Sequence, residues 1–310
     1  MRRETLVPAA IFAALAAVPL LAAAGLPVGG ALPLLLGRMM VFALAAMSLD
    51  LILGIGGLVS FGHAAPIVIG AYAVAICDAA GIHELLVIVP AACAAAALFA
   101  GLTGAVALRT RGVNFIMITL AFAQMVYFGA ASLADFGGDD GYSLGHASRL
   151  LGLRVMSDRF FYVTALVTLF GAWLLLRAIA ASRFGRVLAA LRQNRQRVQA
   201  LGFDAFRVEL VAMVIAAMLA AAAGVLLANQ AQFVSPAYGT WQRSADLIVM
   251  VILGGRGRLH GAMLGAALVI GAEEWLGSLT DHWPLIFGPA LVLSVLFLRD
   301  GLAGAGGARG

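Results

Sequence analysis

No lysine occurs anywhere in the 310 residues; all twenty basic side chains are arginine. That absence excludes a P-loop, which needs a lysine on the nucleotide phosphates, and Schiff-base catalysis, which needs a lysine amine. Any ATP hydrolysis that drives this protein must take place on another chain. Charge of either sign is scarce, at 11% of residues, where a soluble domain carries about 25%. There are only two cysteines, Cys77 and Cys93, and both lie in alanine-rich apolar stretches where a free cysteine packs as a small hydrophobe. No second His or Cys stands at ligand spacing from His63, so no metal is expected.

What the chain has instead is apolar length: 63% of it is hydrophobic. A bilayer core requires about 20 consecutive apolar residues per helix. Such runs fall near 6–26, 33–53, 64–80, 86–108, 113–134, 160–180, 210–229, 243–253, 259–277 and 285–299. The composition predicts an all-α polytopic helix bundle of about 8–10 spans, read as a single membrane domain over 1–310. The run 243–253 is short enough to be a half-span. The first run exceeds the roughly 7–15 apolar residues of a signal peptide and is kept as a helix. With the N-terminus inside, Arg109, Arg111, Arg183–Arg207, Arg256 and Arg258 all fall in cytoplasmic loops, as the positive-inside rule favours. The arginines sit between apolar runs, which argues for lipid as their neighbour and against nucleic acid.

Two segments resemble each other: Asp50-Leu51-Ile52 leads to Gly56-Gly57, and Asp246-Leu247-Ile248 leads to Gly254-Gly255. Both lead on to further glycines, a hint of internal duplication in a class of protein where Gly-interrupted helices mark the substrate site. The loop 183–207 holds six arginines against one acid, Asp204. Within it Val187, Leu191, Val198 and Leu201 recur at helical spacing, with Asn194 inside the stripe and Arg192, Gln193, Gln196 and Arg197 pointing away. Gly202 suits the left-handed residue that ends a helix. The pattern is a short amphipathic helix, for which two seats stay open: anionic lipid or a groove on a partner.

From Ser182 the run Ser-Arg-Phe-Gly-Arg-Val-Leu-Ala-Ala-Leu-Arg-Gln-Asn, followed by Ala200-Leu201-Gly202-Phe203-Asp204, resembles the permease family of branched-chain amino acid importers, and within it the LivM-type subunits. Further blocks follow the same order over about 45–275: Asp50–Gly54, Ser60-Phe61-Gly62-His63, Arg109–Val113, Val234-Ser235-Pro236, Met250–Gly255, and Gly261 with Gly265. Gln193, Pro66, Glu209 and Ala262 depart from the expected pattern and leave a diverged cargo open. The resemblance implies a five-part machine: this permease, a second related permease, two cytoplasmic ATPases that use the ATP, and a periplasmic substrate-binding protein. This chain would bind no cofactor of its own. The resemblance also implies that the amphipathic segment is a coupling helix seated in an ATPase cleft, with Leu191, Arg192, Asn194, Arg195, Leu201 and Gly202 at the contact.

Asp50, Ser60, His63, Asn114, Thr119 and Gln124 are candidates for a substrate path or gate. Each has a plainer reading. His63 is also a helix-start residue. Asp50 either accepts hydrogen bonds from the Gly54–Gly57 break or caps a helix end. Asn114, Thr119 and Gln124 equally suit interhelical bonds. Gly56, Gly57, Gly254, Gly255, Gly261 and Gly265 read as helix breaks or packing points. Trp241, Trp275, Trp283 and Tyr238 read as anchors at the outer boundary. Rival functions are the same machinery carrying urea, short amides or aromatic acids, or an ion-coupled carrier acting alone. The carrier would need titratable groups deep in several helices.

Overall fold

The computed structural model describes residues 2–23, 31–146, 148–150, 153–154, 158–280, 282, 285–289, 291 and 301–305. In order, the helices are α1 (Arg2–Ala23), α2 (Ala31–Asp50), α3 (Ala64–Ala79), α4 (Leu85–Ala107), α5 (Val113–Ala131), α6 (Asp158–Ala181), α7 (Arg183–Gln193), α8 (Arg195–Ala200), α9 (Ala205–Ala231), α10 (Trp241–Gly254) and α11 (Leu259–Leu279). A π-helical turn, Leu51–Ile55, extends α2. Among the described residues, six segments are long and apolar enough to cross a membrane: Leu32–Ile55, α4, α5, Phe160–Ala181, α9 and α11. The fold is the expected all-α polytopic bundle. Most of the run 285–299 lies outside the described residues, as do Trp283, Arg299 and Arg309.

The bundle is built around α2 and α9, its two most buried spans. Alanines at 212, 216, 220, 221 and 223 give α9 almost no side-chain bulk on its buried faces. Where α3 crosses it, a Cβ on Gly70 would collide with the Ala221 carbonyl and one on Gly224 with the Ile67 carbonyl. Such small-residue crossings let backbones meet where lipid supplies no hydrophobic drive. The arginine-rich hairpin, Arg111 and the turn at Gly257 gather at one end of the bundle. The positive-inside rule makes that end cytoplasmic. Short ribbons cap the other end, Tyr142–Ser143 pairing with Phe233–Val234 and Arg149–Leu150 with Leu153–Arg154.

Two helices are half-spans. Near the top of α2, Leu34 O accepts from Gln230 Nε2 of α9 at 2.7 Å. About 21 Å further down α2, Ser48 Oγ meets His63 Nε2 at 2.8 Å. Residues 57–63 therefore climb back from the cytoplasmic end, and α3 starts about 10 Å above the last turn of the α2 span and runs outward. From the other side, residues 232–240 dip inward and α10 runs from near mid-depth to the cytoplasm. The two starts meet, Ala64 N donating to Ser244 Oγ at 3.1 Å. The sequence points to a half-span for α10, but α3 was read as a full one. Trp241, at the start of α10, is 49% exposed, and Trp275, near the outer end of α11, is 66% exposed.

Candidate functional site at the helix junctions

The structure brings Ser60, His63 and Thr119 together. They line a cavity of about 30 Å³ with Ile52, Pro66, Phe99, Phe122 and Met213, room for about one water and none for a substrate. Thr119 Oγ1 accepts from Phe61 N at 3.3 Å and donates to Ile116 O at 2.9 Å, pinning the returning segment to α5. Ser48 gives its proton to Ala45 O at 2.7 Å, so His63 Nε2 must be the donor to Ser48 Oγ. His63 ties the start of α3 to α2. Asn114 is exposed and away from this group. Gln124 Nε2 is buried without a partner among the described residues, and neither Gln124 nor Asp50 lines the cavity.

Asp50 serves the cytoplasmic junction. Its Oδ1 accepts from Gly257 N at 2.8 Å, so its donor comes from the α10–α11 turn and not from the Gly54–Gly57 break. A Cβ on Gly54 would collide with both Asp50 and Gly257. Gly57 takes a φ of +74° beneath the Arg192 side chain. Gly254 faces Gly261, and Gly265 faces the Met250 carbonyl, so the second glycine group closes the α10–α11 hairpin. Gly56 and Gly255 complete the two turns, Gly56 N bonding Leu51 O in the wide π pattern and Gly255 N bonding Val251 O.

The cytoplasmic hairpin is two helices where the periodicity predicts one. Asn194 adopts an extended backbone, ends α7, and its Oδ1 accepts from Arg197 N at 2.9 Å to cap α8. An Asn side chain competes for backbone donors in this way. Val187, Leu191 and Val198 turn inward onto Ala205 and Val208. Arg192, expected to point away, reaches the Gly54 carbonyl with Nη1. Arg195 lies 3.4 Å from Glu209, which also takes a bidentate bond from Arg111 at 2.7 and 3.0 Å. Gly202 takes a φ of +88° and ends α8, leaving Leu201 71% and Phe203 48% exposed. Of the six expected coupling residues, Leu191, Arg192 and Arg195 engage their own chain, and Asn194, Leu201 and Gly202 stay at the surface.

A feature the sequence reading missed lies above mid-depth. Arg38 of α2 stands 3.5 Å from Glu273 and 3.8 Å from Glu274 of α11, and Arg243 of α10 stands 3.7 Å from Asp246. Arg38, Arg243 and Glu274 line a cavity of about 470 Å³ that reaches from the outer end of α2 and α9 down to Arg243 and Leu247, while Glu273 and Asp246 line a neighbouring one. The signal was present as ionisable residues inside apolar runs, which are costly in lipid and therefore face a path or partner. Glu273 stands inside α11, which runs six residues past it. On the outer face, Asp78, His83 and His146 converge, with Asp78 Oδ1 at 3.3 Å from His83 Nδ1 and 3.6 Å from His146 Nδ1, while Asp78 Oδ2 accepts from Gly145 N at 2.9 Å. The three offer atoms of metal-ligating type, a grouping that spacing along the chain does not reveal.

Comparison with known proteins agrees with this architecture. The chain is 27% identical over 287 residues, 85% of its length and 68% of the relative's, to the high-affinity branched-chain amino acid transport system permease protein LivM of Escherichia coli K12. It is 29% identical over 287 residues, 85% of its length and 91% of the relative's, to the permease protein BraD of the corresponding system in Pseudomonas aeruginosa. A third relative, 30% identical over 161 residues covering 50% of this chain and 45% of its own, is the autoinducer 2 import system permease protein LsrC of Escherichia coli K12. No solved structure matches. Residues 31–298 match the family described as branched-chain amino acid transport system / permease component. With six helices among the described residues long and apolar enough to cross a membrane, the chain belongs to that family: it is a transport permease of the inner membrane with multiple passes.

Proposed function

We propose that this permease imports branched-chain amino acids as one half of a translocation path. A second related permease forms the other half. The chain has no nucleotide site of its own and binds no cofactor; two separate ATPases supply the energy, and a periplasmic binding protein delivers the cargo. The lysine-free sequence supports the first point, and the names of LivM and BraD support the cargo.

The observation that carries the coupling role is Arg192. From the cytoplasmic hairpin it bonds the Gly54 carbonyl in the π-helical turn that extends α2, beside the Asp50–Gly257 bond that joins α2 to the α10–α11 turn. A push on the hairpin therefore reaches two spans directly. Leu201 and Phe203 offer the apolar contact to an ATPase that the inward-facing stripe does not.

The test is leucine uptake by the assembled complex in proteoliposomes, alongside ATP hydrolysis. Leu201→Asp is expected to weaken ATPase association. Arg192→Gln is expected to keep association and hydrolysis while uptake falls at least about tenfold, the scale of a lost charged hydrogen bond. Normal uptake by both variants would remove the hairpin from the coupling route. Leucine uptake by the purified chain alone under an ion gradient would replace the whole reading with a secondary carrier.

A further inference from the structure

The charged cavity in the outer half has more chemistry than packing requires. Arg38 and Arg243 flank one buried ring, their Cζ atoms 6.0 and 5.8 Å from the centroid of Phe42. Their ion pairs to Glu273, Glu274 and Asp246, at 3.5 to 3.8 Å, are longer than the roughly 2.7–2.9 Å of a charge-assisted hydrogen bond. The guanidinium donors are therefore held in place without being saturated. Glu274 is 56% exposed and lines the cavity with Leu34, Leu35, Ile67, Leu227 and Leu247. The volume, about 470 Å³, falls within the roughly 300–1,000 Å³ of small-molecule sites. Gln230 adds a buried Oε1 with no partner among the described residues. The floor is the start of α10, a half-helix whose N-terminal end favours negative charge.

We propose that this cavity is a binding site on the permease itself for a zwitterionic amino acid with an aliphatic side chain. Arg243 and Arg38 take the carboxylate, Glu274 takes the ammonium, and the leucine and isoleucine wall takes the side chain. The proposal rests on the importer reading above. Two guanidiniums and the Glu274 carboxylate line the cavity, so a ligand that carries both charges finds a partner for each, whereas an anion offers nothing to Glu274 and a cation nothing to the arginines. A polyol has no group to displace either kind of ion pair. The site lies directly above the constriction at Ser48, His63 and Ser244, where cargo would wait for the lower half to open.

The experiment uses the assembled complex in nanodiscs, with Leu34→Cys in a Cys77→Ala, Cys93→Ala background and a membrane-impermeant maleimide. Leucine is expected to slow labelling several-fold. 4-Methylpentanoate, which lacks the ammonium, and 3-methylbutylamine, which lacks the carboxylate, are expected to leave the rate unchanged. In uptake assays Arg243→Gln and Glu274→Gln are expected to raise the leucine KM about tenfold. Equal protection by the two analogues would mean a site for apolar bulk alone and would overturn the assignment. A complex that imports leucine but whose Leu34→Cys labelling ignores it would overturn the site and leave the importer reading intact. A complex that imports no aliphatic amino acid would overturn that reading and the site with it.

Discussion

A carboxylate 3% exposed and bonded to two guanidiniums, as Glu209 is to Arg111 and Arg195, joins three cytoplasmic segments through one side chain. Replacing it by Ala leaves both arginines without their acceptor, at a cost of about 1–3 kcal/mol, since both remain partly exposed to water. We expect Glu209→Ala to melt several degrees lower in detergent and Glu209→Gln to lie between, measured by intrinsic fluorescence. An unchanged melting curve would show that the pairings contribute nothing. Nothing in the sequence marked Glu209 beyond its departure from a family pattern. Its partners stand 98 and 14 residues away, and only the fold brings them together. The same holds for Arg38 and Glu273, which sit in different apolar runs. Each is visible as a charge out of place, but the pairing that explains it is not.

Helices that begin or end on a polar side chain dominate the cytoplasmic face: Ser182, Asn194 and Asp204 cap α7, α8 and α9 in turn. Asn194→Ala removes the acceptor for Arg197 N and is expected to cost about 1 kcal/mol, while Asn194→Asp keeps it. The pair therefore separates capping from side-chain identity: uptake that falls in Asn194→Ala and persists in Asn194→Asp assigns the role to the cap, and loss in both assigns it to contact with a partner. The break was not legible because the apolar stripe runs through it at unbroken spacing; extended backbone at one residue leaves the periodicity intact. The α3–α9 crossing carries the opposite lesson. Its glycines are visible, but a stretch with 37 glycines in the chain gives no way to choose which pair meet. Gly70→Leu would drive a side chain into the Ala221 carbonyl, and we expect it to leave little folded protein on size exclusion in detergent, whereas Gly101→Leu, with open space around it, should behave as the parent.

Across the whole molecule, the spans were readable because apolar length has no other economical explanation. The two half-spans were harder, since an apolar run of sixteen residues such as α3 satisfies the same pattern whether or not it crosses. What arranges them is α2, the one span that touches the outer cavity through Arg38, the constriction through Ser48 and the cytoplasmic hairpin through the Gly54 carbonyl. Leu32–Ile55 is about 36 Å of nearly continuous rod, so a tilt of roughly ten degrees sweeps one end past the other by about 6 Å. A strut of this kind conducts in both directions. On the ATPase coupling proposed above, whatever free energy a motor below contributes to reshaping the cup above, filling the cup must return to the motor in equal measure, so a loaded transporter and an empty one should differ in how tightly those motors hold nucleotide.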